Sequence, residues 1–255
     1  MDRLDAAAIE APGLEVRVVD RCSSTNELAL RAPLGERPLL VAAEEQSAGR
    51  GRRGRRWHSA RGAGLTFSLA RRMARPAREL PGLALAAGVA AARALRSLGV
   101  APAALKWPND LEAGGAKLGG ILVETRADAG ATRAVIGIGI NCRRDPALAA
   151  RLRRPVASLE ELVSPLPARN ALIAAIARAL LESLEAFDAR GLEAVRSDWE
   201  AMDAHAGRRL RVRLGDGRVL TGVASGLAED GRLRLATRRG LRVVTSGRVV
   251  SSRPA

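Results

Sequence analysis

Between Ala104 and Ile140 the chain offers a series of strand-length runs and no room for a helix between them. Ala104 to Trp107 leads into the turn Pro108-Asn109-Asp110. A run from Leu111 to Thr125, bent around Gly114-Gly115, then reads as a hairpin, and Arg133 to Ile140 reads as another strand. Parallel neighbours need a crossover of a dozen or more residues, so this stretch makes the sheet antiparallel or mixed. Earlier strands are expected at Leu14 to Asp20, Leu39 to Glu45 and Gly64 to Ala70. A helix is expected from Pro81 to Gly99, with proline at its entry and glycine at its exit. A longer one spans Arg169 to Arg190, where Leu172, Ile173, Ile176, Leu180, Leu184 and Phe187 recur at helical spacing. After His205 the pattern turns to short arginine-rich strands broken by Gly215-Asp216-Gly217, Glu229-Asp230-Gly231 and Gly240. The class is therefore α+β: a mixed sheet flanked by helices over residues 1–204, then a small all-β module over residues 205–255.

Composition narrows the function classes. Cys22 and Cys142 make neither a disulfide framework nor a zinc set, and His58 and His205 stand without ligand spacing, so no structural metal is expected. The N-terminus is no signal peptide, and the longest apolar run, Leu83 to Ala92, is far short of a membrane span, which implies a cytoplasmic protein with no membrane partner. A net charge of +15 raises nucleic acid as a partner, but the arginines are spread over the whole chain beside much alanine, as GC-rich codon bias produces. Base stacking is also poorly served, with no tyrosine, two phenylalanines and three tryptophans. Against that bias only two of the 42 basic residues are lysines, Lys106 and Lys117. Lysine is a compact point charge that arginine's planar fork does not replace, so the pair points to amine chemistry near residues 106–117, with chance clustering as the alternative.

The motifs are weak one at a time. Ser24-Thr25-Asn26-Glu27 has the spacing of a capping box, and a helix start also leaves neutral donors and acceptors for a polar uncharged group. Gly49-x-Gly51-x-x-Gly54 matches the dinucleotide fingerprint in letters, but Trp57 and another strand follow where a helix is required, and no P-loop occurs. What remains is a glycine-rich loop carrying Arg50, Arg52, Arg53, Arg55 and Arg56, suited to a triphosphate or, equally, to RNA as a disordered arm. Lys106-Trp107-Pro108-Asn109-Asp110 alone is a turn, Lys117 to Glu124 alone a hairpin strand, and Gly137-Ile138-Gly139-Ile140-Asn141 alone a strand relieved of bulk.

Taken in order, these segments resemble the biotin–protein ligase family: S-T-N at 24–26, Gln46, G-R-G-R-R-G-R-x-W at 49–57, K-W-P-N-D at 106–110, K-L-G-G-I-L-V-E at 117–124 and G-I-G-I-N at 137–141. The resemblance implies a class II synthetase-like catalytic domain and a small SH3-like β-barrel ending in Ser246-Gly247-Arg248-Val249-Val250. It implies ATP-dependent conversion of biotin to biotinyl-5'-AMP and transfer to a lysine of a biotin carboxyl carrier protein, with Mg2+ accompanying the ATP. Biotin would be bound by Ser24, Thr25, Asn26, Gln46, Arg50, Gly51, Arg52, Lys117 and Gly120, and adenylate by Arg50, Arg52, Arg53, Arg55, Trp57, Lys117 and Asn141. Lys117, Arg52 and Asp110 would carry the catalysis, and the arginine loop would close over ligand. Family members usually carry glutamate where this chain has Arg248, and there is no room before residue 14 for the helix-turn-helix of the repressor forms, so no DNA partner is expected. Monomer and homodimer both remain open. The rival enzyme is a lipoate–protein ligase, whose different arginine- and glycine-containing signature is not found.

Overall fold

The alternating run after Leu14 becomes β1 (Glu15–Cys22), and a short helix, α1 (Thr25–Arg31), carries the chain to its parallel neighbour β2 (Leu39–Gln46). The structure, a computed structural model, describes residues 2–33, 35–58, 60–128, 130–152 and 154–255. Next come β3 (Gly64–Met73), α2 (Leu83–Ser97), β4 (Ala104–Lys106), β5 (Asp110–Ala113), β6 (Ala116–Asp128) and β7 (Ala131–Asn141). The sheet order is β1-β2-β3-β7-β6-β5-β4, antiparallel except for the first pair, so the sheet is mixed. Gly114 and Gly115 turn β5 into β6 with φ of 58° and 79°, left-handed values at both central positions of a two-residue hairpin.

Strand parity sorts the sheet into two faces. Leu40, Ala42, Leu65, Phe67, Leu69, Ile136, Ile138 and Ile140 enter the main core, against α2 and the helix α4 (Arg169–Arg190), which α3 (Pro146–Leu152) precedes. The six periodic residues expected on the long helix are all fully buried there, each contributing about 1.5–3 kcal/mol. Leu39, Val41, Ala70 and Val135 turn the other way and pack against Ala29 of α1. Arg133 of β7 holds that helix in place: its guanidinium donates to the carbonyls of Leu30 (3.1 Å) and Ala32 (2.6 Å) at the end of α1. Both α3 and α5 (Arg196–Ala201) are too short for periodicity to reveal, and the sequence reading has no helix at either place.

Beyond His205 lie β8 (Arg209–Leu214), β9 (Val219–Leu227), β10 (Leu233–Thr237), β11 (Gly240–Val244) and β12 (Gly247–Arg253), all antiparallel. Their order is β11-β10-β9-β8-β12, without the closure that the expected barrel would add. Instead of closing on β11, β12 pairs with β8, so β11 and β12 are the two edges of a sheet that is not found closed.

The two sheets meet at the free edge of β4. Leu105 N–H donates to Met202 O, Ala204 N–H donates to Leu105 O (both 2.8 Å), and the Trp107 indole N–H donates to Gly231 O at 3.1 Å. Lys106 is used here: its ammonium lies 2.7 Å from Glu112 Oε1, while His205 Nε2 is 3.7 Å from Glu112 Oε2. Lys106 is a half-buried ion-pair partner and does not line the cleft described below, which leaves Lys117 as the lysine of residues 106–117 that does.

This seam makes opposed contributions to acid stability. Burial, helped by Lys106 and Arg208, pushes His205 down to about 4 from 6.5. Stability from keeping it neutral is present above 6.5 and lost as pH falls through about 4. Burial, with Glu112 adding to it, pushes Asp203 up to about 6 from 3.8, so its contribution is present below 3.8 and lost as pH rises through about 6. The two offset one another in the wild type. Asp203→Asn leaves only the histidine, and its stability should fall by roughly 2–3 kcal/mol more than wild type between about pH 6.5 and 4.5. Urea melts across that range check this, and parallel profiles for the two proteins would refute it.

Candidate active site

The face of the sheet that carries α1 also carries a cleft of about 280 Å3. Its floor is glycine. A Cβ on Gly137 would lie 2.1 Å from Asn26 Oδ1, and one on Gly139 would lie 2.3 Å from the Trp57 ring, so bare backbone is what lets these side chains lie across β7. Thr66 and Ser68, polar residues at alternate positions of the otherwise apolar first part of β3, Gly64 to Ala70, face the same side. That break in the apolar pattern is the signal in the sequence that marks this face of β3.

At one end the start of α1 is capped from outside. The Ser24–Glu27 capping box does not form; Ser23 Oγ takes Glu27 instead, at 2.6 Å. The Thr25 N–H and hydroxyl donate to Gln46 Oε1 at 2.7 and 3.1 Å, and Ser68 Oγ lies within 2.7 Å of Thr25 Oγ1 and 2.6 Å of Asn26 Oδ1. Asn26 Nδ2 donates to Glu124 Oε2 at 2.8 Å, and Arg50 meets the same oxygen at 2.8 Å. Ser24, Thr25 and Asn26 are buried, and with Arg50 and Glu124 cancelling each other's charge this end has no net charge and is rich in hydrogen-bonding groups.

The opposite end is cationic. Lys117 and Gly120 both line the cleft although they stand three positions apart on a strand, because β6 bulges: Leu111 faces Gly119 and Glu112 faces Lys117, leaving Leu118 as an extra residue. The Lys117 ammonium contacts Asp110 Oδ1 and stands 5.9 Å from the Trp57 ring centroid. Burial pushes its amine below the ordinary lysine value, Asp110 opposes that, and Arg154 and Arg55 add to the fall. Arg52 reaches Asn109 Oδ1 at 3.4 Å. Burial and the like charges Arg53 and Arg55 push its guanidinium down as well, yet it stays charged.

The arginine loop is a narrow hairpin rather than an open arm. Trp57 N–H donates to Gly49 O (2.8 Å) and Gly51 N–H to Arg55 O (2.6 Å), with a left-handed tip at Arg53 (φ 58°) and Gly54 (φ 70°). The Trp57 Nε1 donor is buried with no partner among the described residues, a state costing about 1–3 kcal/mol until an acceptor arrives.

Ser24, Thr25, Asn26, Gln46, Arg50, Gly51, Arg52, Arg55, Trp57, Asp110, Lys117 and Gly120 all line this cleft. Arg53 does not; it points away and donates to Ser246 Oγ at 2.5 Å. Asn141 lines an adjoining hollow of about 290 Å3 that shares Gln46, Arg56, Trp57, His58 and Thr66 with the cleft, and its amide holds the carbonyls of Lys117 (3.2 Å) and Ala157 (3.1 Å). Asn109, Arg154 and Arg248 complete the cationic end without having been expected there. Glu124 was read only as a motif letter, because its partners are distant in sequence. Among the described residues no group of three or more His, Cys, Asp or Glu side chains converges as a metal site, and no helix of the structure is long and apolar enough to cross a membrane.

Two family models match the chain, the biotin/lipoate A/B protein ligase family over residues 18–141 and the biotin protein ligase C-terminal domain over residues 205–251. The bifunctional ligase/repressor BirA of Escherichia coli K12 is 37% identical over 226 residues, 88% of this chain and 70% of that protein. The biotin–acetyl-CoA-carboxylase ligase of Mycobacterium tuberculosis H37Rv is 34% identical over 249 residues, 94% of this chain and 90% of that protein. Among solved structures, the biotin protein ligase from Aquifex aeolicus in complex with biotin and ATP aligns with a TM-score of 0.79 at 27% identity, over 94% of this chain and 99% of that one.

Proposed function

The chain belongs to the biotin–protein ligase family, and on that footing we propose that it activates biotin with ATP and transfers it to a lysine of a biotin carboxyl carrier protein. The observation that carries the reading is the polarity of the cleft: a neutral hydrogen-bonding end at Thr25 and Gln46, a bare glycine floor, and a cationic end at Lys117 and Arg52. That sequence of environments fits a molecule with a polar uncharged ring, an apolar chain and a terminal carboxylate. Lipoate has no hydrogen-bonding ring for Ser24, Thr25 and Gln46 to meet.

Joining a carboxylate to an amine is uphill in water, so the carboxylate is first made an acylating agent. A biotin carboxylate oxygen attacks the α-phosphorus of ATP, the bond to the β-phosphate breaks, and pyrophosphate leaves with the electron pair. Two anions must approach, and Lys117 supplies a point charge between them while Asp110 positions the ammonium. Arg50, Gly51 and Gly120 wall the biotin side, and Trp57 covers its chain and offers the unpaired indole N–H. Arg52 and Arg55 hold the adenylate phosphate, and Asn141 faces the hollow left for the rest of the nucleotide. In the second half the carrier lysine, as free amine, attacks the acyl carbon, the bond to AMP breaks, and the nitrogen sheds a proton.

Mg2+ would accompany the triphosphate. The cleft's carboxylates are already engaged, Asp110 by Lys117 and Glu124 by Arg50 and Asn26, so the protein's own donors do not build a seat for the ion, which would travel with the phosphate oxygens. Residues 1–204 form the catalytic, class II synthetase-like domain and residues 205–255 an SH3-like module in this reading, and the setting is the cytoplasm.

Incubation with biotin, lipoate and MgATP followed by native mass spectrometry tests the reading: a retained mass equal to biotinyl-5'-AMP is expected, and retention of a lipoyl adenylate alone would overturn it. Arg52→Gly should still make the adenylate but leak it. The variant loses a charge-assisted hydrogen bond worth about 1.5–3 kcal/mol, so retention weakens by roughly one to two orders of magnitude. Streptavidin blots of bystander albumin should then brighten, and labelling no stronger than wild type would remove Arg52 from the clamp.

A further inference from the structure

The net charge is less evenly spread than the arginines are. Residues 205–255, a fifth of the chain, hold twelve arginines against three acidic residues and so carry nine of the fifteen net positive charges. The three acids, Asp216, Glu229 and Asp230, all lie in turns, where Asp216 holds Arg218 and Asp230 holds Arg232; the strands of the C-terminal sheet have none. Codon bias sets how many arginines a chain has, not where its acids are missing. Strand register then gathers the arginines on one face. Leu210 and Val212 of β8 are buried, so Arg209, Arg211 and Arg213 point the opposite way, spaced by about 6.6 Å. On β12, Arg253 stands directly beside Arg209 and Arg248 beside Arg213. None of Arg209, Arg211, Arg213 and Arg253 has a side-chain hydrogen bond or ion pair among the described residues. On the seven-stranded sheet, by contrast, Arg17 pairs with Glu15, Arg21 with Glu45 and Arg71 with Asp188.

Like charges directly opposite one another on neighbouring strands destabilise a sheet, and here the protein supplies no counter-charge of its own. A row of cations at regular spacing is complementary to a linear polyanion rather than to a single anion, and guanidinium forks match phosphate oxygens two at a time. No aromatic residue occurs from 205 to 255, so the face has nothing on which unpaired bases could stack, which favours a duplex over a single strand. We propose that the outer face of the C-terminal sheet, centred on Arg209, Arg211, Arg213 and Arg253, is a sequence-independent binding surface for the phosphate backbone of duplex nucleic acid. Backbone contacts position a protein without reading sequence. The expectation of no DNA partner concerned a helix-turn-helix, which reads base edges; this face is a different device, and its assignment does not rest on the ligase reading. Val219, beside Arg213, and Leu241, in the same rung of the sheet as Arg209, are exposed on the same face, which makes an acidic protein the rival occupant.

The test follows the full chain binding a labelled random-sequence DNA duplex, and the RNA duplex of the same sequence, by fluorescence anisotropy as salt is raised. For wild type the logarithm of the affinity should fall against the logarithm of salt with a slope of about −3 to −4, near −0.9 for each phosphate neutralised. Arg209→Ala/Arg211→Ala/Arg253→Ala should flatten that slope by about three units and weaken binding at about 50 mM salt by roughly a hundredfold, whereas the same three positions changed to lysine should keep the slope. Biotin-dependent pyrophosphate release, whose groups lie elsewhere, should be unchanged in both variants. If the alanine variant melts early, Arg211→Glu alone decides, since that side chain is exposed and without a partner; it should bind about tenfold more weakly. A preference for one duplex names the source of the backbone, and equal binding is what contact with phosphate alone predicts. No duplex binding by wild type at about 50 mM salt overturns the proposal. So does an unaltered slope and affinity in the alanine variant, which would move the polyanion to the arginine hairpin. Displacement of the duplex by poly-glutamate as readily as by unlabelled duplex would give the face to an acidic protein instead.

Discussion

Lys117→Ala should reduce biotin-dependent pyrophosphate release by about a thousandfold while leaving the melting temperature close to wild type. Removing one oriented donor at a site of developing charge typically costs about 10^2–10^3 in rate. Here the loss is compounded, because Asp110 then faces the phosphates with its partner gone and repels them. The fold should tolerate the change, since Lys117 lines the cleft while its neighbour Leu118 is the residue buried in the core. Lys117→Arg should not restore activity: the bare face of Gly120, whose Cβ would come within 3.1 Å of Nζ, leaves room for a narrow ammonium and not a planar fork. The double variant Lys117→Ala/Asp110→Asn separates the two effects and should recover part of the rate. Undiminished release in Lys117→Ala would take the residue out of the chemistry.

Gly139→Ala should be nearly as damaging, through binding rather than charge. Its methyl would sit 2.3 Å from the Trp57 ring, far inside van der Waals contact, so the indole must leave the floor of the cleft. Overpacking of this kind costs about 1–3 kcal/mol, and losing the wall of the biotin site adds to it, so biotin affinity should fall by roughly two orders of magnitude. Gly137→Ala pushes on Asn26 in the same way, at 2.1 Å, and there relief is available: Gly137→Ala/Asn26→Ala should regain its melting temperature without regaining biotin. Equal biotin affinities for wild type and Gly139→Ala by calorimetry would mean that Trp57 does not cover the site.

Local chemistry accounts for what was readable in the sequence. Gly114-Gly115 dictates a hairpin because few other residues take two left-handed values in succession, and six apolar residues at helical spacing can bury together only on a helix such as α4. The arginine hairpin and the start of α1 were likewise visible as segments. Their partners were not, because pairing is made across the chain. Ser24 to Glu27 has the spacing of a capping box, yet Gln46, on a different element, meets the Thr25 N–H. Lys106 and Lys117 look equivalent in a chain almost without lysine, and only the register of β5 assigns one to Glu112 and the other to the cleft. Arg133 and Arg169 are indistinguishable by type from the surface arginines around them, although one caps α1 and the other is buried against Glu44 at 2.8 Å. In so arginine-rich a chain, residue type carries little information about which guanidinium is structural.

The bulge in β6 makes the site depend on spacing as much as on identity. Strand residues alternate strictly, so the single extra residue at Leu118 is what puts the ammonium of Lys117 on the same side as Gly120 and Asp110. If the strand ran straight here with Leu118 retained, Lys117, three positions before Gly120, would point to the opposite face, into the apolar layer against α2, with every side chain that performs the chemistry still present in the sequence. The letters of the motif therefore do not by themselves place the lysine; the irregularity of the strand that carries them does.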